Sequence, residues 1–421
     1  MISNFKLIAR ILQNSLLDWK PISVLPIADL LVVANDADRP SLLGDKYFSP
    51  NVDLIAYIAP TVAIGIARIL DIKTHPKTLI PVYALSGLFC RALIAKHLHS
   101  LFKRLLCLNS HYSFSNAESK LWIQVIGHVR PRAILAINPS RELCHASFIS
   151  NIPCIEVQHG IIYPSHPYYS STRMLEPDTW LPSGYVVWTA YSQEVIKRLY
   201  IDKAKPSFFI LGNILQTCLE NSFRLQEMFN SYCSSPNLRN SSDLRPVILV
   251  TLSWGMDMHG GEIISNEYIK LINMTSSAYR WIVRLHPAQI SGHRKFEYYE
   301  FLRSFLPRLP QEVYADEYNK TPLSLLANSV QLHLTEMSSS VIDLSFMNIR
   351  SIVTHHFTES NDIFGKSIFD QYVLYKPGAN SSELKACIEQ ALAEQTDCNP
   401  SDTGASEPTI ELNKLLSFLV N

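Results

Sequence analysis

Four short polar segments have residue types and spacing suited to chemistry, and each follows an apolar stretch. The first is Glu156-Val157-Gln158-His159-Gly160. Because the ordinary pKa of histidine is about 6.5, His159 could take a proton from an acceptor hydroxyl at neutral pH. Gln158 and Gly160 are predicted beside the acceptor, since a glycine lets a ligand approach the backbone or accepts a positive φ. Glu156 is the alternative base, and a His159 that only holds the neighbouring loop is the structural alternative.

The second segment is Arg284-Leu285-His286-Pro287, at the end of a stretch that predicts a strand over 281–285. Residues two apart in a strand face the same way, so Arg284 and His286 would point together toward one ligand. A guanidinium and an imidazole aimed jointly suit a phosphate or diphosphate. The His-Pro dipeptide also occurs at 75 and 166, but only the copy at 286 follows a predicted strand with an arginine. A structural turn at Pro287 is the alternative.

The third segment, Thr335 to Ser340, joins a strand predicted over 330–334 to a helix predicted over 341–347. The hydroxyls of Ser338, Ser339 and Ser340, with free N–H groups at a helix N-terminus, would make an anion site. Plain capping of the helix by one serine is the alternative, and the two roles are compatible.

The fourth segment, Ser253 to Gly261, follows a strand predicted over 247–251. Gly255 would permit close approach to a phosphate, and Asp257 and His259 could face the cleft. The segment matches neither the G-x-G-x-x-G fingerprint nor the P-loop, so its glycine, aspartate and histidine are what make it a donor-side candidate.

Asp36-Ala37-Asp38 has the D-x-D spacing that could hold a divalent ion. The following Arg39 would compete for the carboxylate charge, so we favour an acceptor-side role for Asp36, Asp38 and Arg39 over a metal site.

The polar segments lie within an alternation of strands and helices that predicts parallel sheets, in which ligands bind beyond the carboxyl ends of the strands. Predicted strands in the first half are 28–34, 133–137, 154–157, 185–188 and 207–211, with helices at 116–129, 141–150 and 192–200. The pattern restarts with strands at 247–251, 281–285, 330–334 and 351–354 and a helix at 267–277. The predicted class is therefore α/β, with two Rossmann-like domains facing a central cleft.

The predicted domains are an acceptor-side domain over 1–215 and a nucleotide-donor domain over 246–378. A helix and a Ser- and Asn-rich linker connect them over 216–245, and C-terminal helices occupy 379–421. At 421 residues the chain is long enough for two cores.

The amino-acid composition limits the kinds of partner and compartment that we expect for this chain. Lys plus Arg and Asp plus Glu both number 37, which gives no electrostatic reason to expect nucleic acid. The eight cysteines form no C-x-x-C pair, as expected in a reducing compartment without disulfides or a zinc knuckle. We expect a cytoplasmic protein, since no signal peptide or membrane span is evident. The predicted amphipathic helix over 5–17 docks on the core or gives a peripheral contact at the inner membrane face.

Taken together, the segments resemble the GT-B transferases of bacterial surface polymers. The similarity rests on Gln158-His159-Gly160, on Arg284-x-His286-Pro287, on the serines at 338–340, and on Val187 to Ser192 followed by Gly212-Asn213. It spans about residues 120 to 355 and is greatest for the group of polysialyltransferases, capsule Kdo-transferases and teichoic-acid glycerophosphotransferases. The acidic base motif of polysialyltransferases is not matched.

The resemblance implies that Arg284, His286 and the serines at 338–340 bind the donor phosphates, and that His159 or Glu156 is the base. We therefore expect a glycosyltransferase that moves a sugar from a CMP-, CDP- or UDP-linked donor to a glycan or lipid-linked acceptor, without a cofactor or a catalytic metal. The alternatives are a nucleotide-sugar epimerase of the same fold and a non-catalytic glycan-binding or scaffold protein.

Overall fold

The computed structural model describes residues 21–35, 38–67, 77–85, 87–92, 94, 114–164, 166, 168–169, 176–200, 203–233, 243–253, 262–290, 295–355, 372–394 and 407–420. Two parallel sheets organise them. The first sheet has seven strands in the order β5-β4-β1-β6-β7-β8-β9. Its strands are β1 (Leu30–Ala34), β4 (Ala63–Ala67), β5 (Val82–Ala84), β6 (Ala133–Ala136), β7 (Cys154–Val157), β8 (Gly184–Val187) and β9 (Ser207–Ile210).

The second sheet has five strands in the order β11-β10-β12-β13-β14, and all of its pairs are parallel. Its strands are β10 (Val247–Thr251), β11 (Arg280–Arg284), β12 (Leu332–Thr335), β13 (Arg350–Val353) and β14 (Val373–Tyr375). A small antiparallel hairpin of β2 (Ser41–Leu43) and β3 (Lys46–Phe48) stands apart from both sheets.

The central strands are apolar on both faces because helices cover both sides of a parallel sheet. Every residue of β1, with the sequence LLVVA, is buried, and so is every residue of β10, with the sequence VILVT. The covering helices are α1 (Asp53–Ile58), α2 (Asn116–Val129), α3 (Arg141–Ile149), α4 (Ala190–Lys197), α5 (Ile214–Glu220), α6 (Phe223–Cys233), α7 (Asn266–Thr275), α8 (Pro287–Ile290), α9 (Lys295–Glu300), α10 (Asp316–Lys320), α11 (Leu323–Ala327), α12 (Ser340–Ser345), α13 (Ser381–Glu394) and α14 (Glu407–Val420).

Polar side chains fix where several helices begin. The Ser115 hydroxyl accepts the N–H of Glu118 at the start of α2, and Ser140 caps α3 in the same way. Helix α2 ends at Arg130, whose φ of 56° is left-handed and stops the helix. Local capping chemistry therefore sets the bounds of the helices that alternate with the strands.

The last two helices pack on different sheets. Helix α13 contributes Leu384, Ile388 and Ala391 to the core beneath the second sheet. Helix α14 buries Leu412, Leu415 and Leu419 in the core of the first sheet. The chain thus returns to the first sheet after the second is complete.

The predicted α/β class with two parallel sheets is confirmed. The single connecting helix expected within 216–245 is instead two helices, α5 and α6, which are separated by Asn221-Ser222. The hairpin of β2 and β3 was not predicted, and the helix predicted over 5–17 lies outside the described residues. The domain boundaries drawn from the sequence stay predictions. Within the described part of the chain, no helix combines the length and the apolar character needed to cross a membrane.

Candidate active site

The candidate site lies where the strands of both sheets end. His159 comes two residues after the end of β7, and β7 pairs with β6 and β8 in the first sheet. In the second sheet the segments after β10, β11 and β12 are neighbours, because those three strands are adjacent. Because the strands are parallel, the polar segments of each half lie together at the carboxyl ends of that half's sheet.

Glu156 and His159 differ sharply in exposure. Glu156 lies inside β7, fully buried, and its Oε1 accepts the hydroxyl hydrogen of Tyr169 over 2.7 Å. His159 is exposed, and its Nε2 lies 3.2 Å from the Nδ2 of Asn138. An imidazole open to solvent can exchange protons with a bound hydroxyl more readily than a buried carboxylate can. No local sequence pattern indicates Tyr169 as a partner of Glu156.

Gln158 and Gly160 shape the turn that carries His159. The Gln158 side chain is buried: its Nε2 donates to the carbonyl of Gly160 over 2.9 Å, and its Oε1 accepts the N–H of Trp188 over 2.8 Å. The amide is thus engaged by the protein's own backbone and fixes the turn. A Cβ at Gly160 would meet no atom of the described residues within 4 Å, so among them this position borders open space.

A second histidine, His166, lies close to His159. Its Nδ1 accepts the N–H of Tyr168 over 3.1 Å, and its ring lies between those of Tyr163 and Tyr169 at centroid distances of 5.1 and 5.2 Å. Burial, with repulsion from His159, lowers the pKa of His166 to about 4. His166 is therefore neutral at physiological pH. Sequence reasoning passed over it because its His-Pro dipeptide follows no strand.

Arg284 is the most unusual residue of the second sheet. It ends β11, it is only 9% exposed, and its Nη1 is buried without a hydrogen-bond partner among the described residues. Burial lowers the pKa of Arg284 to about 10, while the Asp343 carboxylate acts in the opposite direction. A buried guanidinium without a hydrogen-bonded counter-ion is costly, and an anionic ligand would relieve that cost.

His286 lies beyond the end of the strand. Because β11 ends at Arg284, the strand alternation used to align the two side chains does not extend to His286. The His286 N–H donates to the Oε1 of Gln289 over 2.8 Å, and Pro287 begins the short helix α8. The segment is therefore a turn directly after a buried cationic residue.

Gln289 ties this turn to the neighbouring strand end. It is buried, and its Nε2 donates to the Oε2 of Glu297 over 2.8 Å and, more weakly, to the carbonyl of Ser253 over 3.4 Å. The Ser253 Oγ in turn accepts the N–H of Met337 over 3.0 Å. One hydrogen-bonded chain thus holds together the segments after β10, β11 and β12. The sequence offered no signal for it, since its partners are far apart along the chain.

The serine-rich segment is mainly a capping structure. The Ser338 Oγ accepts the N–H of Ser340 over 3.2 Å and lies 2.6 Å from the Ser340 hydroxyl, while Ser339 makes no side-chain cap. The N–H groups of Val341 and Ile342 are bonded to the carbonyls of Ser338 and Ser339. Most of the N–H groups that were expected to be free are therefore already hydrogen-bonded within the segment. The serine hydroxyls remain as groups that could bind a ligand.

Helix α12 brings this segment against the first half of the chain. Val341 of α12 packs in one apolar cluster with Ile161 and Tyr163, which follow His159. Directly after the helix, the ring of Phe346 would lie 3.6 Å from a Cβ at Gly212. The loop of His159 and the serine-rich segment therefore meet across the contact between the two sheets.

Of the acceptor-side residues predicted near Asp36, the structure describes Asp38 and Arg39. Asp36 lies outside the described residues, and the Asp38 Oδ2 accepts the N–H of Asn35 over 2.8 Å. Arg39 is fully buried and bidentate, with its Nε and Nη2 at 2.8 and 3.0 Å from the carboxylate of Asp53. A side chain enclosed in this way does not fit the acceptor-side role predicted for Arg39.

The remaining predicted donor-side residues, Gly255, Asp257 and His259, lie outside the described residues. Within the part of the chain that is described, no three His, Cys, Asp or Glu side chains come together as metal ligands.

No family model matches the sequence, and no curated protein matches it either. Solved structures do match. The wall teichoic acid polymerase TagF is 15% identical, with a TM-score of 0.50 over 100% of this chain and 96% of that chain. UDP-N-acetylglucosamine 2-epimerase from Rickettsia bellii is 11% identical, with a TM-score of 0.51 over 93% of this chain and 95% of that chain. At such low identity the likeness shows the fold alone: two Rossmann-like domains arranged as in GT-B proteins.

Proposed function

We propose that the chain is a GT-B glycosyltransferase that moves a sugar from a nucleotide-activated donor to a glycan or lipid-linked acceptor in surface-polysaccharide synthesis. The observation that carries the proposal is Arg284, a buried cation whose Nη1 has no hydrogen-bond partner among the described residues. It lies at a strand end, where ligands of parallel sheets bind.

The donor phosphates would bind to the second half of the chain. Arg284 would supply charge to the diphosphate, with His286 and the hydroxyls of Ser338 and Ser340 as hydrogen-bonding groups. Arg284 gains most from such a ligand, because its guanidinium is already buried before the ligand arrives. Ser339, Pro287, Gly255, Asp257 and His259 remain donor-side candidates.

The acceptor would approach the first half, near the exposed ring of His159. In the proposed step His159 takes the proton of the acceptor hydroxyl, and the hydroxyl oxygen forms a bond to the anomeric carbon. The bond between that carbon and the donor phosphate breaks, and the nucleotide leaves with the bonding electrons while Arg284 stabilises its charge. Glu156 remains the alternative base, although its burial and its bond to Tyr169 favour His159.

A nucleotide-sugar epimerase is the second candidate, because the Rickettsia bellii enzyme is as similar in fold as the polymerase TagF. The two candidates differ in their need for an acceptor. An epimerase or hydrolase would convert the nucleotide sugar alone, whereas a transferase would need a second substrate.

A thermal-shift screen against CMP, CDP, UDP and GDP tests the shared part of the proposal. A nucleotide that binds only the folded state stabilises it by mass action, by about 2.7 kcal/mol at a concentration one hundred times Kd. This added stability raises the unfolding temperature. The variant Arg284→Met should lose that shift, while Arg280→Met at the other end of β11 should keep it. If none of the four nucleotides shifts the wild-type protein at millimolar concentration, the proposal is overturned.

A further inference from the structure

Asn138 lies at the carboxyl end of β6, beside the loop that carries His159. Strands β6 and β7 are paired neighbours, so the residues that follow them lie side by side at the same edge of the sheet. Asn138 is half-buried, and its Nδ2 atom lies 3.2 Å from the Nε2 atom of the His159 ring. The amide of Asn138 therefore contacts the ring of the candidate base directly.

The backbone of Asn138 has a conformation that is uncommon for any residue other than glycine. Its φ is 46°, in the left-handed region. The other described non-glycine residues of positive φ are Arg130, Asn151 and Asn348, and they closely follow the ends of helices α2, α3 and α12. A left-handed residue is a common way to end a helix. Asn138 instead follows a strand and precedes Pro139, so helix termination does not account for it, and such outliers point to a functional constraint.

Hydrogen bonds on both sides hold Asn138 in this conformation. The Ile137 N–H donates to a carbonyl of β1 over 3.0 Å, and the Tyr168 hydroxyl donates to the carbonyl of Pro139 over 3.0 Å. The turn that carries the imidazole is itself fixed by the buried amide of Gln158. Both partners of the contact thus rest on a backbone that is held in place, so amide and ring meet in a defined geometry.

The chemistry of the amide decides which ring nitrogen carries a hydrogen. An amide nitrogen donates hydrogen bonds and does not accept them, so a neutral His159 ring accepts the Asn138 N–H at Nε2 and carries its own hydrogen on Nδ1. We propose that Asn138 is a positioning residue for His159, whose amide N–H fixes Nε2 as the ring nitrogen that takes the proton of the acceptor. This inference rests on the proposed function, because it assigns the atom at which the proposed base acts.

In the proposed step the acceptor hydroxyl replaces the amide at Nε2. The O–H bond breaks as an N–H bond forms at Nε2, and the electron pair stays on the oxygen that attacks the anomeric carbon. In the empty site the contact with Asn138 opposes protonation of His159, because an imidazolium carries a hydrogen at Nε2 that an amide nitrogen cannot accept. The amide thus keeps the base in its neutral form before the acceptor arrives.

The other titratable groups around the ring are unchanged when Asn138 is replaced. Burial, with repulsion from His159, lowers the pKa of His166 to about 4, so His166 adds no charge at physiological pH. Arg141, at the start of α3, is paired with Glu176 over 2.8 Å. Besides the tyrosines of the loop after β7, the surrounding elements carry Asp38, Glu156, Glu336 and Asp343. A difference between variants at position 138 therefore reports the amide.

NMR spectra of the ring nitrogens in histidine-labelled protein show which nitrogen of His159 carries a hydrogen, and His159→Gln identifies the signals. At about pH 8.5, two units above the ordinary pKa of histidine, we expect the hydrogen on Nδ1 in wild type. Asn138→Gly accepts the left-handed backbone but lacks the amide, so it should lose this preference and show both tautomers. Asn138→Asp presents a carboxylate that only accepts, so it should move the hydrogen to Nε2 and raise the pKa of His159 by about 1–3 units.

Asn151→Gly is the matched control, since it removes another asparagine of positive φ, 54°, at the end of α3. It should leave the His159 tautomer as in wild type. A wild-type ring with its hydrogen on Nε2, or the same tautomer in wild type and Asn138→Gly, would overturn the inference and leave the proposed function intact. If no nucleotide shifts the wild-type protein in the thermal screen, the proposed function fails and the inference falls with it. Asn138→Asp, which tolerates the same backbone, keeps the test decisive if the glycine variant does not fold.

Discussion

Replacing Arg284 by methionine should stabilise the empty protein and weaken its binding of nucleotide at the same time. Arg284 is 9% exposed, and burial lowers the pKa of its guanidinium from 12.5 to about 10. A depressed pKa for a base means that folding disfavours its charged form. The resulting loss of stability is fully present below about pH 10 and declines as the pH rises from the folded-state pKa toward the unfolded-state value of 12.5.

The size of the effect follows from that shift. The lowered pKa of Arg284 corresponds to a loss of about 3 kcal/mol in the free energy of unfolding, since one pKa unit is 1.36 kcal/mol. Methionine has a similar length and no charge, so up to that amount should be regained, less the electrostatic attraction between Arg284 and Asp343 that the substitution removes. We expect a net gain of about 1–2 kcal/mol, or roughly 2–8 °C in thermal midpoint for a domain of ordinary size. Nucleotide binding should weaken by about 1.5–3 kcal/mol, the cost of losing a hydrogen bond to a charged group.

Thermal unfolding with and without a nucleotide measures both effects on the same samples. Arg280→Met on the same strand controls for the loss of an arginine, and Arg284→Lys retains the charge but loses the planar fork of donors. The reasoning is refuted if Arg284→Met is destabilised by more than about 2 kcal/mol and binds nucleotide as wild type does. Arg284 would then be a structural residue.

Four further outcomes are expected. His159→Ala should keep donor binding and lose about 10²–10⁴-fold in turnover, with less damage from Glu156→Gln; the reverse order in steady-state assays would make the carboxylate the base. His286→Ala should weaken nucleotide binding by about 1.5–3 kcal/mol in calorimetry, and unchanged affinity would remove His286 from the donor site. Arg39→Ala should lower the free energy of unfolding by about 3–5 kcal/mol by leaving Asp53 buried and unpaired, and a denaturant titration that finds no loss would contradict this account. Transfer activity should survive EDTA, and a complete loss restored by Mn²⁺ or Mg²⁺ would establish a metal requirement.

Local signals predicted much of the fold. The strand at 154–157 and the helix at 116–129 agree with β7 and α2 to the residue. An apolar run after a proline marks the strand, and a serine cap followed by Glu118 marks the helix, so neighbouring residues carry the information. The alternation of such elements is enough to predict two parallel sheets.

The candidate site depends on contacts that no local pattern shows. Asp53 lies 14 residues from Arg39, and their pairing encloses a side chain that the sequence placed at the surface of the cleft. Gln289 and Ser253 are 36 residues apart, and nothing near either one indicates that they join the strand ends. Residue types and strand positions predict that the site lies at the carboxyl ends of the strands. Tertiary packing decides which side chains there face a ligand.

Helix α14 makes the order of synthesis important for the first sheet. Leu412, Leu415 and Leu419 complete a core whose last strand, β9, ends at Ile210. A ribosome adds about 5–20 residues per second, so these leucines emerge roughly 10–40 s after β9. During that interval the nascent first half exposes the apolar surface that α14 later covers. Such a surface is a natural binding site for a chaperone, and the first half reaches its final packing only when the last helix has been made.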